Sequence, residues 1–418
     1  MSAWLMYALA AGVLTLAASQ DGAGADAKPK SGTVVVRAKH VLTGLGEDLA
    51  GGSVVVVDGK IRAVGRGVEE PGGAKTLDAE YVTPGLIDAA FSAGSRYSNI
   101  EEAYEITPAF RALDAWDPAA DDVERAFKGG TTTAFVAPGN MAVIGGLAGV
   151  SKLAPIGIPP VLRKDSALKL TFGEEPTFGN GTARGTGLPQ SYRIRRPNTR
   201  PAVVLEMRVA LYEAERARRR GEATDEGRAR MSEAIGGKLP VRIHASTATE
   251  IRSALRVAKE FALQGVLEGA EEAHRCMPDL LASKMSVVLA PLPRDPVRAI
   301  AGNGRAIDLD DQDMYLNLLS LLSEAGIRTA LCASGAAAED GLASQMRYAV
   351  RYGASRELAL RAVTSAPAEI LGVADRVGSL RVGLDGDLVL WNGDPFELTS
   401  KPIAVVSEGI VYPTRTGR

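Results

Sequence analysis

Histidine and cysteine are scarce in this chain: 418 residues carry three histidines and two cysteines. The shortage bears on chemistry, because a catalytic zinc takes about three protein ligands plus an open position for water. His40, His244 and His274 lie far apart, and none has a second histidine beside it. Cys276 and Cys332 sit in apolar contexts and are expected as buried free thiols rather than as a disulfide. An excess of charge is also missing. The formal net charge is -2, from 48 Lys and Arg against 50 Asp and Glu, which gives no electrostatic reason to expect nucleic acid as a partner. The one basic run, Arg216 to Arg220, follows Glu213 and Glu215 and reads as a solvated helix end.

The first residues are apolar from Trp4 to Ala18, a run short for a membrane span and followed by small residues. Residues 1–19 are therefore expected to be a signal peptide, and the protein to be exported, periplasmic or extracellular. No Lys or Arg precedes the run, so an N-terminal membrane anchor is the alternative. Residues 20–31 mix Ala, Gly, Asp and Lys and read as a disordered tether.

The length and 46% apolar content support a large core. Residues 32–82 read as short β strands, with Asp58-Gly59 between two aliphatic runs as a strong hairpin signal. Residues 371–418 supply matching strands, and the two parts are expected to form one small β-sandwich. Residues 83–370 change pattern. Thr131 to Val136, Val241 to His244, Gly265 to Glu268, Ser286 to Leu289 and Arg328 to Leu331 have the length and composition of buried parallel strands, separated by helical periodicity. The expectation is an α/β fold with a (β/α)8 TIM-like barrel, whose reactive groups would sit at the C-terminal strand ends. Lys169 to Thr199, rich in Gly, Pro, Thr and Arg, reads as a loop over the barrel mouth.

Several blocks, in this order and spacing, resemble the exported, imidazolonepropionase-like branch of the amidohydrolase superfamily. They begin with Thr83-Pro84-Gly85-Leu86-Ile87-Asp88-Ala89. Gly129-Gly130-Thr131-Thr132-Thr133, Pro138-Gly139-Asn140 through Lys152, and Leu168-Lys169-Leu170 with Gly173-Glu174-Glu175-Pro176 follow. Val241-Arg242-Ile243-His244-Ala245 and Gly383-Leu384-Asp385-Gly386-Asp387 complete the set. The resemblance implies hydrolysis of non-peptide carbon–nitrogen bonds at a metal centre. It also shows what is missing: Ala90 and Ser92 stand where an H-x-H pair would be, Ser246 stands where H-A-H would end, and Ser334 lies in a stretch that would carry a metal-binding Asp.

His244 and Lys152 remain as candidate catalytic or metal-ligating residues, with Glu101, Glu102, Glu105 and Glu268 as nearby carboxylates. Lys152 matches a lysine-bearing block, and in parts of the superfamily a carboxylated lysine bridges two metals. Read from chemistry alone, His244 is equally a hydrogen-bonded core residue, and a buried Lys152 would need a carboxylate partner. The Gly145-Gly146 and Pro138-Gly139-Asn140 stretches fit either an anion cradle or close backbone packing. The expectation is a catalytically silent binding or scaffolding subunit without cofactor. Its partner would be a small molecule at the barrel mouth or an active amidohydrolase relative in a hetero-oligomer. A hydrolase of cyclic amides with a reduced site, holding a single divalent metal such as zinc, is the alternative.

Overall fold

The computed structural model describes residues 32–95, 101, 104–154, 159–177, 197–222, 225–291, 315–333 and 341–414. The expected signal peptide and tether, Glu102 and Ser334 lie outside these residues. Among the described residues no helix is long and apolar enough to cross a membrane.

Four strands open the chain: β1 (Val34–Leu42), β2 (Asp48–Val57), β3 (Lys60–Gly65) and β4 (Lys75–Pro84). Eight more build a second sheet: β5 (Leu86–Phe91), β6 (Thr131–Val136), β7 (Ile144–Lys152), β8 (Val161–Thr171), β9 (Val241–Ala245), β10 (Gly265–Gly269), β11 (Ser286–Leu289) and β12 (Thr329–Leu331). The last three, β13 (Leu388–Trp391), β14 (Pro402–Ser407) and β15 (Ile410–Pro413), return to the first sheet.

The first sheet runs β15-β14-β13-β4-β1-β2-β3, so both ends of the chain share one seven-stranded sheet. Its two hairpin turns, Asp58-Gly59 and Glu408-Gly409, place both central residues at positive φ (48° and 78°; 47° and 77°), which Asp and Gly tolerate best. Alternate residues, Val34, Val36, Val54, Val56, Leu388, Leu390, Ala404 and Val406, meet in one apolar core. Gly59 and Ile61 also bond through their backbones to Gly386 and Leu384, tying the segment before β13 to the β2–β3 hairpin.

The second sheet has the order β5 to β12 and is a nearly closed barrel. β5 and β6 are buried at every residue, as strands covered on both faces must be. The expected all-parallel barrel needs one correction. β7 runs antiparallel to both β6 and β8, and among the described residues no crossover helix lies on either side of it. All nine β7 residues are buried, and the reason lies in its glycines. A Cβ at Gly146 would strike the Phe110 carbonyl, and one at Gly149 would strike the Leu113 side chain. The segment after Glu105 therefore lies directly on β7, with hydrogen bonds from Thr107 N to Ile144 O (2.7 Å) and from Leu147 N to Phe110 O (2.6 Å). Lys169 to Thr171, expected to begin a loop, instead completes β8.

Among the described residues β12 and β5 share no backbone ladder. Residues 362 and 363 bridge that seam, accepting from Leu331 N (2.9 Å) and Ile87 N (2.8 Å). Asp88 spans it too, taking the N–H of Ala90 (3.0 Å) and of Ala333 (3.1 Å). Helices surround the barrel. The helix Ala248–Glu260, which follows β9, starts with a full capping box between Thr247 and Glu250. Ser355 caps Arg356–Arg361 through Leu358 N, as its position before an apolar periodic run predicts.

Candidate functional site

The C-terminal ends of β5, β8, β9 and β10 converge at one mouth, and the period-two alternation of a strand decides what points into it. On β9, Arg242 and His244 are two residues apart and share a face. Ladder register sets Lys169 of β8 beside Arg242, and Glu268 of β10 beside His244. Four ionisable side chains from three neighbouring strands are thus brought together.

They are paired. Lys169 Nζ donates to Glu268 Oε1 at 2.5 Å, and Arg242 Nε donates to Glu268 Oε2 at 2.7 Å. The Arg242 guanidinium also donates to the Ala89 carbonyl on β5 and lies 4.5 Å from the Phe135 ring centroid. Both cations are almost wholly buried, at 2% and 1% side-chain exposure, so the carboxylate between them is what makes their burial tolerable. Burial opposes ionising Glu268, but Lys169, Arg242 and His244 outweigh it and hold the carboxyl well below the usual range.

His244 Nε2 meets Glu175 Oε1 at 2.8 Å. Glu175 opens a short 3-10 turn, Glu175–Thr177, just past β8. Burial works against its ionisation, yet the hydrogen bond and charge of His244 prevail and lower its pKa. His244 Nδ1 is buried without a hydrogen-bond partner and stands 3.8 Å from Glu268 Oε1. Ser246 Oγ, at the next inward position, is likewise buried and unpartnered. Asp88, below them, is buried, and its burial pushes the carboxyl up to about 7 against two backbone N–H groups and Arg242.

The remaining sequence candidates fall elsewhere. Ala90 is buried at the end of β5 and packs with Val288, Ala330 and Cys332, while Ser92 is exposed. Lys152 is not brought to His244. It ends the antiparallel strand, opposite Thr133 near the start of β6, and so lies at the other end of the barrel. There its Nζ sits 2.7 Å from Asp385, 3.1 Å from Asp387 and 3.3 Å from Glu408, with 1% exposure. Asp385 also takes Lys60 and Arg376; burial opposes its ionisation, but these cations bring its pKa down to about 2. Glu105 meets β7 through its backbone, accepting from Ile144 N. His40 stacks on Tyr81 in the terminal sheet and bonds Asp48, and His274 stacks on Tyr315. Both cysteines are buried free thiols.

Sequence reasoning missed Lys169, Arg242 and Glu175. The first two carried a signal: a single cation inside an otherwise apolar strand, as in Leu-Lys-Leu and Val-Arg-Ile, is costly unless something inside the barrel neutralises it. Glu175 carried none, since only its place after β8 brings it to His244.

A barrel with its site at the C-terminal strand ends, joined to a sheet made from both chain ends, is the architecture of a hydrolase family. The chain belongs to the amidohydrolase family, whose model matches residues 81–412. Among solved structures it is similar to an amidohydrolase from Thermotoga maritima MSB8, with 28% identity and a TM-score of 0.79 over 90% of this chain and 99% of that one. Molinate hydrolase shares the fold at 14% identity, with a TM-score of 0.58 over 92% of this chain and 95% of that one. A curated relative, amidohydrolase tasK from Hapsidospora irregularis, is 24% identical over 86% of this chain. The chain spans 39% of that relative's length.

The residues at the mouth do not fit the metal that the family implies. Glu268 has both oxygens taken by fixed cations, Asp88 has both taken by backbone N–H groups, and His244 has one nitrogen on Glu175. Arg242 cannot shed its proton, so a divalent ion beside Glu268 would face unrelieved repulsion. Among the described residues no group of three or more His, Cys, Asp and Glu is arranged to hold a metal ion.

Proposed function

We propose that this chain is a catalytically silent member of its family, an exported binding or scaffolding subunit that holds no metal. The observation that supports the reading is the occupation of the mouth by Lys169 and Arg242. Two buried cations take Glu268, one of the two carboxylates beside His244, and the other, Glu175, is held on the imidazole itself, while Ala90 and Ser92 supply no ligand at the end of β5. A barrel with such a mouth keeps its shape and its surfaces, and its use is then to bind: a small molecule in the mouth, or an active relative in a mixed oligomer. Elemental analysis of the purified protein together with an assay on cyclic amides tests it. The expected result is substoichiometric transition metal and no turnover; a full equivalent of zinc with hydrolysis overturns it.

One observation favours a second reading, in which a reduced site hydrolyses cyclic amides. His244 Nδ1 has no hydrogen-bond partner and so remains available as a single metal ligand or as a general base. Lys152, buried among carboxylates at the far end, takes no part in this version. If His244→Ala left a measured hydrolytic rate unchanged, the second reading would fail.

A further inference from the structure

The Glu175–His244 contact has an unusual local requirement. Residue 173 is glycine although its φ lies outside the left-handed region, so backbone freedom does not explain it. Space does. A Cβ at Gly173 would collide with Glu175 Oε2, because the Glu175 side chain folds back over its own chain to reach His244. The neighbouring Glu174 pairs with Arg200, which also lies 3.5 Å from Glu250 on the helix after β9. The strap leaving β8 is thereby held at two points, and the inner one is a carboxylate laid on the imidazole at the mouth.

We propose that Glu175 is a built-in latch occupying the carboxylate subsite of the mouth, and that the ligand of this barrel is a small monocarboxylic acid whose carboxylate displaces it. The chemistry follows from the charges. With Glu175 swung away, His244 Nε2 is left as a free donor, and behind it two fixed cations, Lys169 and Arg242, stand against the carboxylate that pairs with them, Glu268, while Asp88 is kept protonated more readily by its burial. That face is complementary to an anion with the planar oxygens of a carboxylate, the group that already fills it. Glu175 is 27% exposed and lies on the 3-10 turn after β8, so its side chain can swing without moving a barrel strand. A ligand must break one charge-assisted hydrogen bond, which lowers its apparent affinity by about tenfold to a hundredfold.

The inference rests on the binding reading above and names its ligand class. Propionate, which reproduces the Glu side chain from Cβ outward, is the probe, with propionamide as its neutral counterpart. Calorimetric titration of the full chain is expected to give saturable propionate binding at least tenfold tighter in Glu175→Ala than in the wild type. Gly173→Ala, which expels the same carboxylate while keeping the residue, is expected to tighten binding likewise. His244→Ala added to Glu175→Ala removes the binding, and propionamide binds none of them. Thermal melts of each variant establish that it is folded, and Glu175→Gln replaces Glu175→Ala if the latter is not. Equal affinity in wild type and Glu175→Ala, no propionate binding to a folded Glu175→Ala, or equal binding of propionamide overturns the proposal. Propionate has no bond to hydrolyse, so a negative result concerns the latch alone. Turnover of an amide would instead overturn the silent-subunit reading and leave the latch standing.

Discussion

Glu268→Gln is the most informative single change, because it separates a charge cluster that holds the barrel together from a degraded metal site. Among the described residues Glu268 is the carboxylate that pairs with both Lys169 and Arg242, whose side chains are 2% and 1% exposed. Removing its charge leaves two cations a few ångströms apart in a dry interior, and breaking a buried ion pair of this kind costs about 3–5 kcal/mol. The neutral amide still accepts one hydrogen bond, which places the variant toward the lower end. Urea unfolding followed by tryptophan fluorescence measures it as a midpoint shift at unchanged slope. Lys169→Met added to Glu268→Gln removes one of the stranded charges and is expected to recover about half of the loss. The resulting non-additivity is the signature of direct coupling. A chelator is expected to leave the wild-type midpoint where it was. A loss below about 1 kcal/mol, the range of exposed pairs, would refute the argument. So would a wild-type protein that EDTA destabilises as much as the substitution does.

Other expectations follow from groups away from this pair. Burial lifts Asp88 from 3.8 to about 7, so the folded state holds that proton more tightly than the unfolded chain does. The associated stability is present below about pH 4 and is lost as pH rises toward 7, by up to about 4 kcal/mol. Asp88→Asn is expected to flatten that part of a stability-versus-pH curve; an unchanged slope would show that the seam carboxyl titrates normally. Lys152→Met is expected to cost about 3–5 kcal/mol, because Asp387 is buried beside it and its pKa is already raised by burial. A loss confined to tenths of a kcal/mol would mean that Lys60 and Arg376 neutralise the cluster unaided. Thr247→Ala removes the cap of the 13-residue helix after β9 and is expected to lower stability by about 1 kcal/mol in the same assay.

The family was legible because its motifs carry an order and spacing that are local properties of the chain. The same holds for the hairpin at Asp58-Gly59 and for the barrel strands at Thr131, Val241, Gly265 and Ser286, whose ends fall within a residue of the expected ones. The strand order around β7 was not legible. Its glycines permit either a cradle or a close backbone contact, and only the segment from Glu105 to Leu113, lying against it, decides between them.

What the sequence by itself determined is therefore periodicity and identity: which side chains share a strand face, which turns are tight, and which family the motifs belong to. What only the tertiary structure decided is where those faces meet. Reversing one nine-residue strand carries Lys152 roughly 26 Å from where a parallel strand would have delivered it, and places it among carboxylates instead of beside His244. Lys169, Arg242, Glu268 and Glu175 become one site by ladder register and by the fold-back over Gly173. The physical reason is that charge pairing acts through space, across contacts as distant in sequence as Lys169 and Glu268, whereas pattern along the chain records only neighbours.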